Sequence, residues 1–478
     1  MTDMTWSELL TRVSAGMMVR TDSREIQPGE AFAALPGSRV DGSTFIPEAL
    51  ARGAKLIIAK PGTPLPAGAD AVLVTHPDPR KGLGELAAAY YRTQNCDMKL
   101  IGVTGTNGKT TVTHMIEHLL REGKMTPGIM GTISCRWPGQ ERASCLTTPD
   151  CWSIHQMLRE MADAGVDAVC MEASSHALDQ DRMAGLRFDA AVFTNLTQDH
   201  LDYHRTMEEY FAAKKKLFSG DGDLHRVVNI DDPYGARIAR EHRPVLGVTL
   251  GGNGHRDFPV LRGRFHSAGK KGLSMSVDYG DRTWRIDSSM VGKHNGYNML
   301  LALGTVISLG VEHDAAAALS RLPGVPGRLE RVENARGLDV FVDYAHTPDA
   351  LENVLSALRE LDASRIVTVF GCGGERDAGK RPIMGRTVAR YSDVAVLTSD
   401  NPRGEDPEAI MDQVEPGLAT CPRVIRESDR KSAIALAIGE MQPGDVLLVA
   451  GKGHETYQQI GDRRIPFSDV QAIREVLQ

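Results

Sequence analysis

"LIGVTGTNGKTT", residues 100–111, is an apolar run that breaks into a glycine-containing loop and then Lys109-Thr110-Thr111. A buried strand entering such a loop and opening a helix is the context a phosphate-binding loop needs. Its glycines let backbone N–H groups converge on phosphate oxygens, and the helix N-terminus adds a favourable dipole. Gly105, Thr106, Asn107 and Gly108 would form the loop. Lys109 would neutralise the β- and γ-phosphates of a nucleotide, Thr110 would place its hydroxyl on Mg2+, and Thr111 would follow in the helix. The spacing departs from G-x-x-x-x-G-K, because Val103 stands where the first glycine belongs and Gly102 and Gly105 flank it.

Outward from this stretch, strand-like runs alternate with helical segments, the mark of a parallel sheet covered by helices on both faces. Asp167–Met171, Ala190–Phe193 and Arg226–Asn229 continue the pattern after Leu100–Thr104. Residues from about 255 to 290 read as an antiparallel addition, and "RLPGVPGRLERV" (321–332) separates them from a renewed alternation. There Val340–Asp343, Ile366–Phe370, Val394–Leu397 and Val446–Val449 each precede a motif-like loop. Ligands of open α/β sheets sit off the carboxyl ends of strands, so those loops are the places to look. The expected fold is α/β with three domains: a small N-terminal α/β domain (1–98), a central phosphate-loop domain with a parallel sheet flanked by helices (99–330), and a C-terminal Rossmann-like domain (331–478).

The 478 residues exceed what one core supports. A net charge of -7 without long single-sign blocks argues against nucleic acid or an anionic membrane as a partner. The first twenty residues carry Asp3 and Glu8 and no apolar core segment, so no secretory signal is expected. Seven cysteines without a C-x-x-C pair read as reduced thiols of a cytoplasmic protein.

Three more segments follow strands of the central unit: Glu172 in "VCMEASSHALDQDR", His200 in "TNLTQDHLDYH" and Lys214 in "YFAAKKKLF". Singly they read as a helix cap, a satisfied histidine and a solvated lysine face. Together with "GTNGKTT" they resemble the Mur ligase family, ATP-dependent amide-forming enzymes of peptidoglycan precursor synthesis. The resemblance spans nearly the whole chain through "DSREIQPGEAFAAL", "DGSTFIPEALARGA", "FGCGGERDAGKRPIMG", "TSDNPRGEDP" and "AGKGHETYQ".

The resemblance implies an acyl phosphate made from ATP and the γ-carboxylate of UDP-N-acetylmuramoyl-L-alanyl-D-glutamate, attacked by an amine of meso-2,6-diaminopimelate. It implies catalytic roles for Lys109, Glu172, His200 and Lys214, with Mg2+ on Thr110, Glu172, His200 and a carbamylated Lys214. Asn295, Asn298, Arg328, Asp343 and His346 are implied at ATP, although Lys293-His294 replaces the family's frequent Arg-Phe pair. Ser23, Thr147, Thr148, Ser174, Gln180 and Arg182 are implied at the uridine substrate. The plain reading of Thr147-Thr148-Pro149-Asp150 is helix capping, and both roles can hold at once. Arg376, Asp400, Asn401, Pro402, Arg403, Gly451 and Glu455 are implied at diaminopimelate, with Glu375 where the family commonly has Asp. Arginine suits bidentate carboxylate recognition, and the residue after Pro402 starts with restricted freedom. A surface pairing of Arg403 with Glu405 or Asp406 is the plain alternative. The substrates are small molecules, a monomer is expected, and a lysine-adding or folylpolyglutamate-type ligase and a non-ligating nucleotide switch are the competing readings.

Overall fold

The computed structural model describes residues 4–37, 40–144, 146–220, 222–251, 257–311 and 314–478. The readings that rest on Asp3, Cys145 and residues 255–256 lie outside them. Among the described residues the strands form four sheets. The first is wholly parallel and pairs β1 (Val19–Arg20), β2 (Ala31–Ala33), β3 (Leu56–Ala59) and β4 (Val72–Thr75) in chain order. All four residues of β3 are buried, as an unbroken apolar run in a covered parallel sheet should be.

The second sheet holds β5 (Lys99–Thr104), β6 (Pro127–Met130), β7 (Ser134–Trp137), β8 (Gln140–Ala143), β9 (Ala168–Glu172), β10 (Ala190–Phe193), β11 (His225–Asn229), β12 (Val245–Thr249), β13 (Val260–Gly269), β14 (Gly272–Tyr279) and β15 (Arg282–Ser288). Their order is β15-β14-β13-β12-β11-β10-β5-β9-β6-β7-β8. The strands from β13 through β6 are parallel, while β14–β15 and β7–β8 add antiparallel edges. The antiparallel addition expected from about 255 to 290 therefore extends the central sheet, and a second one, β7–β8, was not legible. β5 lies where the chain changes side, between β9 and β10, so the loop after it sits at a topological switch point.

The two faces follow the strand period of two. Ile101, Val103, Ala190 and Val192 meet the helices Lys109–Glu122 and Lys293–Ser308. Leu100, Ala191 and Phe193 meet Cys151–Asp163 and the Tyr210 and Phe211 side chains of Met207–Lys215. Gly102 has a packing reason, since a Cβ there would lie 2.9 Å from Leu217 Cδ1.

The third sheet contains β16 (Glu330–Arg331), β17 (Asp339–Asp343), β18 (Ile366–Phe370), β19 (Val394–Leu397), β20 (Arg423–Arg426) and β21 (Val446–Ala450), ordered β16-β17-β21-β18-β19-β20. Only β16 runs antiparallel to its neighbour. A hairpin of β22 (Tyr457–Ile460) and β23 (Arg463–Pro466) stands beside it. Arg80 ties the first unit to the second by donating to the Gln180 and Pro36 carbonyls. Lys293 pairs with Glu360 at 3.0 Å, and Lys270 donates to the Gly444 carbonyl, tying second to third.

Candidate active site

The loop after β5 is held from β10. Thr106 N donates to the Asn195 carbonyl at 2.8 Å, and Thr194 Oγ1 donates to the Asn107 carbonyl at 2.6 Å. Gly105 has φ +148°, and a Cβ there would fall 1.8 Å from Thr194 Oγ1, so a side chain has neither the conformation nor the room. Lys109 Nζ folds onto its own loop, donating to the carbonyls of Gly105 (3.0 Å) and Thr106 (2.8 Å). Lys214, on the helix Met207–Lys215, donates to the same Gly105 carbonyl at 2.7 Å. It is 1 % exposed, and its Nζ sits 4.5 Å from the centre of the Tyr210 ring. Burial, reinforced by the Lys109 charge, holds its ammonium well below the ordinary lysine range.

Glu172 ends β9 facing the loop. Its Oε2 accepts from Thr110 Oγ1 at 3.0 Å and Thr132 Oγ1 at 3.1 Å, and its Oε1 accepts from Thr132 N at 2.7 Å. The Thr110 hydroxyl and Glu172 carboxylate are hard oxygen donors, which suit a magnesium ion that keeps waters and phosphate oxygens. Among the described residues no three His, Cys, Asp or Glu side chains gather to hold an ion. His200 is half exposed and has φ +53°. Its Nε2 lies 3.5 Å from Asp199 Oδ2 and its ring packs against His176. No hydrogen bond among the described residues brings it to Thr110 or Glu172.

A cavity of about 500 Å³ opens between the second and third sheets, within the range of small-ligand sites. Asn107, Gly108, Thr111, Asn295, Asn298, Arg328, Asp343 and His346 all line it. Arg328 reaches across, donating to Thr110 Oγ1 at 3.1 Å while its guanidinium lies over Tyr344. Asn298 Nδ2 donates to Asn295 Oδ1 at 2.9 Å. Asp343 accepts from Leu329 N and Ala345 N, and burial pushes its carboxyl up.

The residues expected at the uridine substrate split. Thr148 Oγ1 donates to the Glu172 carbonyl and bonds Ser174 Oγ, while Arg182 donates to the Thr148 carbonyl and to Gln180 Oε1. Thr147 Oγ1 lies 3.1 Å from Thr132 Oγ1, which joins this network to Glu172. Asp150 caps the helix Cys151–Asp163, leaving both threonines free of that duty. Ser23 lies in the first unit and donates to Glu48 at 2.7 Å.

The third-unit residues gather at the carboxyl ends of β18, β19 and β21. Arg403 has φ +52° and donates to the Gly374 carbonyl at 2.8 Å. Glu405 is held instead by the buried Arg381 at 2.9 Å, and Asp406 caps the helix Pro407–Val414. Neither acid pairs with Arg403, so the surface-pair alternative fails. Arg376 is exposed and flanks Gly373 beside Arg403. Asp400 Oδ2 is buried and has no hydrogen-bond partner among the described residues. It aims at Gly451 (φ +113°), where a Cβ would stand 2.5 Å away. Asn401 Nδ2 donates to Glu455 Oε2 at 2.9 Å, and the Pro402 carbonyl closes a turn with Glu405 N.

Sequence reasoning missed Thr132, Asn195 and Lys452. Thr132 carries no motif, Asn195 lies inside the quoted "TNLTQDH" as an ordinary polar residue, and the burial of Lys452 is invisible in "AGKGHE".

Three family models match this chain: "Mur ligase family, catalytic domain" over residues 17–91, "Mur ligase middle domain" over 103–306, and "Mur ligase, glutamate ligase domain" over 327–453. A protein of Lawsonia intracellularis named UDP-N-acetylmuramoyl-L-alanyl-D-glutamate--2,6-diaminopimelate ligase is 48% identical over 463 residues, covering 96% of this chain and 96% of its own. A solved structure bearing the same name superposes with a TM-score of 0.67 at 32% identity, covering 96% and 94%. A MurF ligase from Thermotoga maritima, solved with ADP, shares the fold at 19% identity and a TM-score of 0.59 over 98% of each chain.

Proposed function

The chain belongs to the Mur ligase family, and from that premise we propose that it adds 2,6-diaminopimelate to UDP-N-acetylmuramoyl-L-alanyl-D-glutamate, as the similar relatives are named for doing, and that it takes the meso isomer. It is an ATP-dependent ligase. An oxygen of the D-glutamyl γ-carboxylate attacks the γ-phosphorus and ADP leaves. The acceptor's amine nitrogen then attacks the acyl carbon, phosphate departs with the C–O electron pair, and the ammonium proton passes to solvent.

Lys109 exchanges its loop carbonyls for the β/γ-phosphates and offsets the repulsion between carboxylate and triphosphate. Asn295, Asn298, Arg328, Asp343 and His346 seat the nucleotide in the 500 Å³ cavity. Thr110, Glu172 and His200 would hold Mg2+, which supplies charge neutralisation at the phosphates. Lys214 serves there only as a carbamate, because a bare ammonium repels a metal ion. Its buried, depressed ammonium beside Lys109 supports this reading: the neutral amine is the form that takes up carbon dioxide. Thr147, Thr148, Ser174, Gln180 and Arg182 hold the sugar and peptide, and Ser23 the uridine end.

The observation that carries the choice of acceptor is Arg403, whose two acidic neighbours are both spent elsewhere. Its guanidinium, with Arg376, meets the far carboxylate of diaminopimelate, while Asp400 and Glu455 accept from the far ammonium. Among the described residues no helix is long and apolar enough to cross a membrane. Use of ATP and a nucleotide-linked substrate supports a cytoplasmic reaction, and one chain carries every assigned residue, in keeping with a monomer. A coupled assay tests the reading: phosphate should appear only when the uridine dipeptide and diaminopimelate are both present. Equal use of lysine would select the lysine-adding reading, and hydrolysis indifferent to both would select the switch.

A further inference from the structure

Lys452 follows Gly451 at the end of β21 and is wholly buried, at 0 % exposure. Its Nζ donates to Glu455 Oε2 at 2.8 Å and to Asn401 Oδ1 at 3.0 Å, and it lies 5.7 Å from the centre of the Tyr457 ring. Asn401 Oδ1 also accepts from Gln459 N at 2.9 Å, so two donors fix which end of the amide points where. The Asn401 Nδ2 is thereby turned onto Glu455 Oε2, the same oxygen that Lys452 holds. An unpaired lysine is rarely found fully buried, because an ammonium out of water needs partners for its charge and its protons. Here both partners belong to the loops that frame the amino-acid pocket.

We propose that Lys452 is a positioning residue for the acceptor amino acid: by holding Glu455 Oε2 and Asn401 Oδ1 at once, it leaves Glu455 Oε1 to face the ligand's ammonium and locks the Asn401-Pro402-Arg403 turn. Without it, Glu455 keeps only the neutral Asn401 amide on Oε2, and its carboxylate is free to rotate. The turn then loses a charged tether one residue from the proline that precedes Arg403. The effect is confined to the acceptor, since the nucleotide cavity is lined by neither Lys452 nor Glu455 nor Asn401.

This inference rests on the acceptor reading above, and the wild-type assay separates the two. A wild-type protein that does not use diaminopimelate overturns that reading. A wild type that uses it makes the variants a test of Lys452 alone. Lys452→Met keeps the apolar stem and removes the donor. The acceptor KM should rise at least tenfold, with the KM values for ATP and for the uridine dipeptide within twofold of wild type. An unchanged acceptor KM, or a parallel rise of all three, overturns the proposal, since a merely structural lysine would move them together or not at all. Lys452→Gln keeps a hydrogen-bonding head in the cavity and serves where Lys452→Met does not fold. The same acceptor-specific rise supports the proposal, and an acceptor KM within twofold of wild type overturns it.

Discussion

Lys109 and Lys214 donate to one and the same oxygen, the Gly105 carbonyl, at 3.0 and 2.7 Å. Two ammonium groups sharing one acceptor in a buried place is an arrangement that favours a change of charge on one of them, and Lys214 is the deeper. Lys214→Ala should lower kcat by about 10–100-fold, the usual effect of removing a residue that orients a metal site. Short-chain carboxylic acids should restore part of it by replacing the carbamate's oxygens. Full activity without rescue would remove Lys214 from the reaction.

Arg403→Ala should erase selectivity between diaminopimelate and lysine. Its guanidinium is bonded to the Gly374 carbonyl but to neither Glu405 nor Asp406, so the far carboxylate is the group it discriminates by, and a lost charged contact of that kind is worth about 1–3 kcal/mol, roughly ten- to a hundredfold in kcat/KM. Competition between the two acceptors in wild type and variant measures it. A variant as selective as wild type would return Arg403 to the surface.

Arg381→Met releases Glu405, whose carboxylate Arg381 now occupies through both Nη atoms. The freed acid is two residues from Arg403 and should compete with the ligand's carboxylate. The acceptor KM is expected to rise while ATP binding, followed by isothermal titration, stays put. Restoration by Glu405→Gln in the same chain identifies competition as the cause.

Gly105→Ala should abolish nucleotide binding as well as destabilise the chain. Left-handed strain alone costs about 1–3 kcal/mol, and the Cβ would collide with Thr194 Oγ1 at 1.8 Å. Nucleotide-dependent thermal shift reads the first effect and urea unfolding the second.

Acidification should destabilise the protein through His114. Its ring lies beneath the phosphate loop with its Nδ1 bonded to the Thr110 carbonyl at 2.9 Å, and burial lowers its pKa from 6.5 to about 4. The unfolded chain binds the proton first, so stability is lost as pH falls from 6.5 through about 4 and stays lost below. The loss is on the order of 3 kcal/mol. The melting temperature of His114→Gln should fall less over that window than that of wild type.

The strands at Leu100–Thr104, Ala190–Phe193, Ile366–Phe370 and Val394–Leu397 were legible because apolar runs bounded by turns are local patterns. The β7–β8 edge was not, since Gln140–Ala143 is exposed throughout and has no buried face to leave a period. The cavity residues Asn295, Asn298, Arg328, Asp343 and His346 came through resemblance and do share one cavity, whereas Thr132 carried no signal although it grips Glu172 with both its N–H and its hydroxyl.

By itself the sequence determined the strand–loop–helix at 100–122, the alternation that builds two large sheets, and the inventory of charged side chains at their ends. These depend on neighbours a few residues apart, through backbone conformation and the periods of buried faces. Only the tertiary structure decided which of those charges are already satisfied: Glu405 by Arg381 across 24 residues, and Lys214 at Gly105 across 109. The reason is desolvation. A charge's availability depends on how deeply it is buried and which partner the fold delivers, and neither is written in the residues beside it.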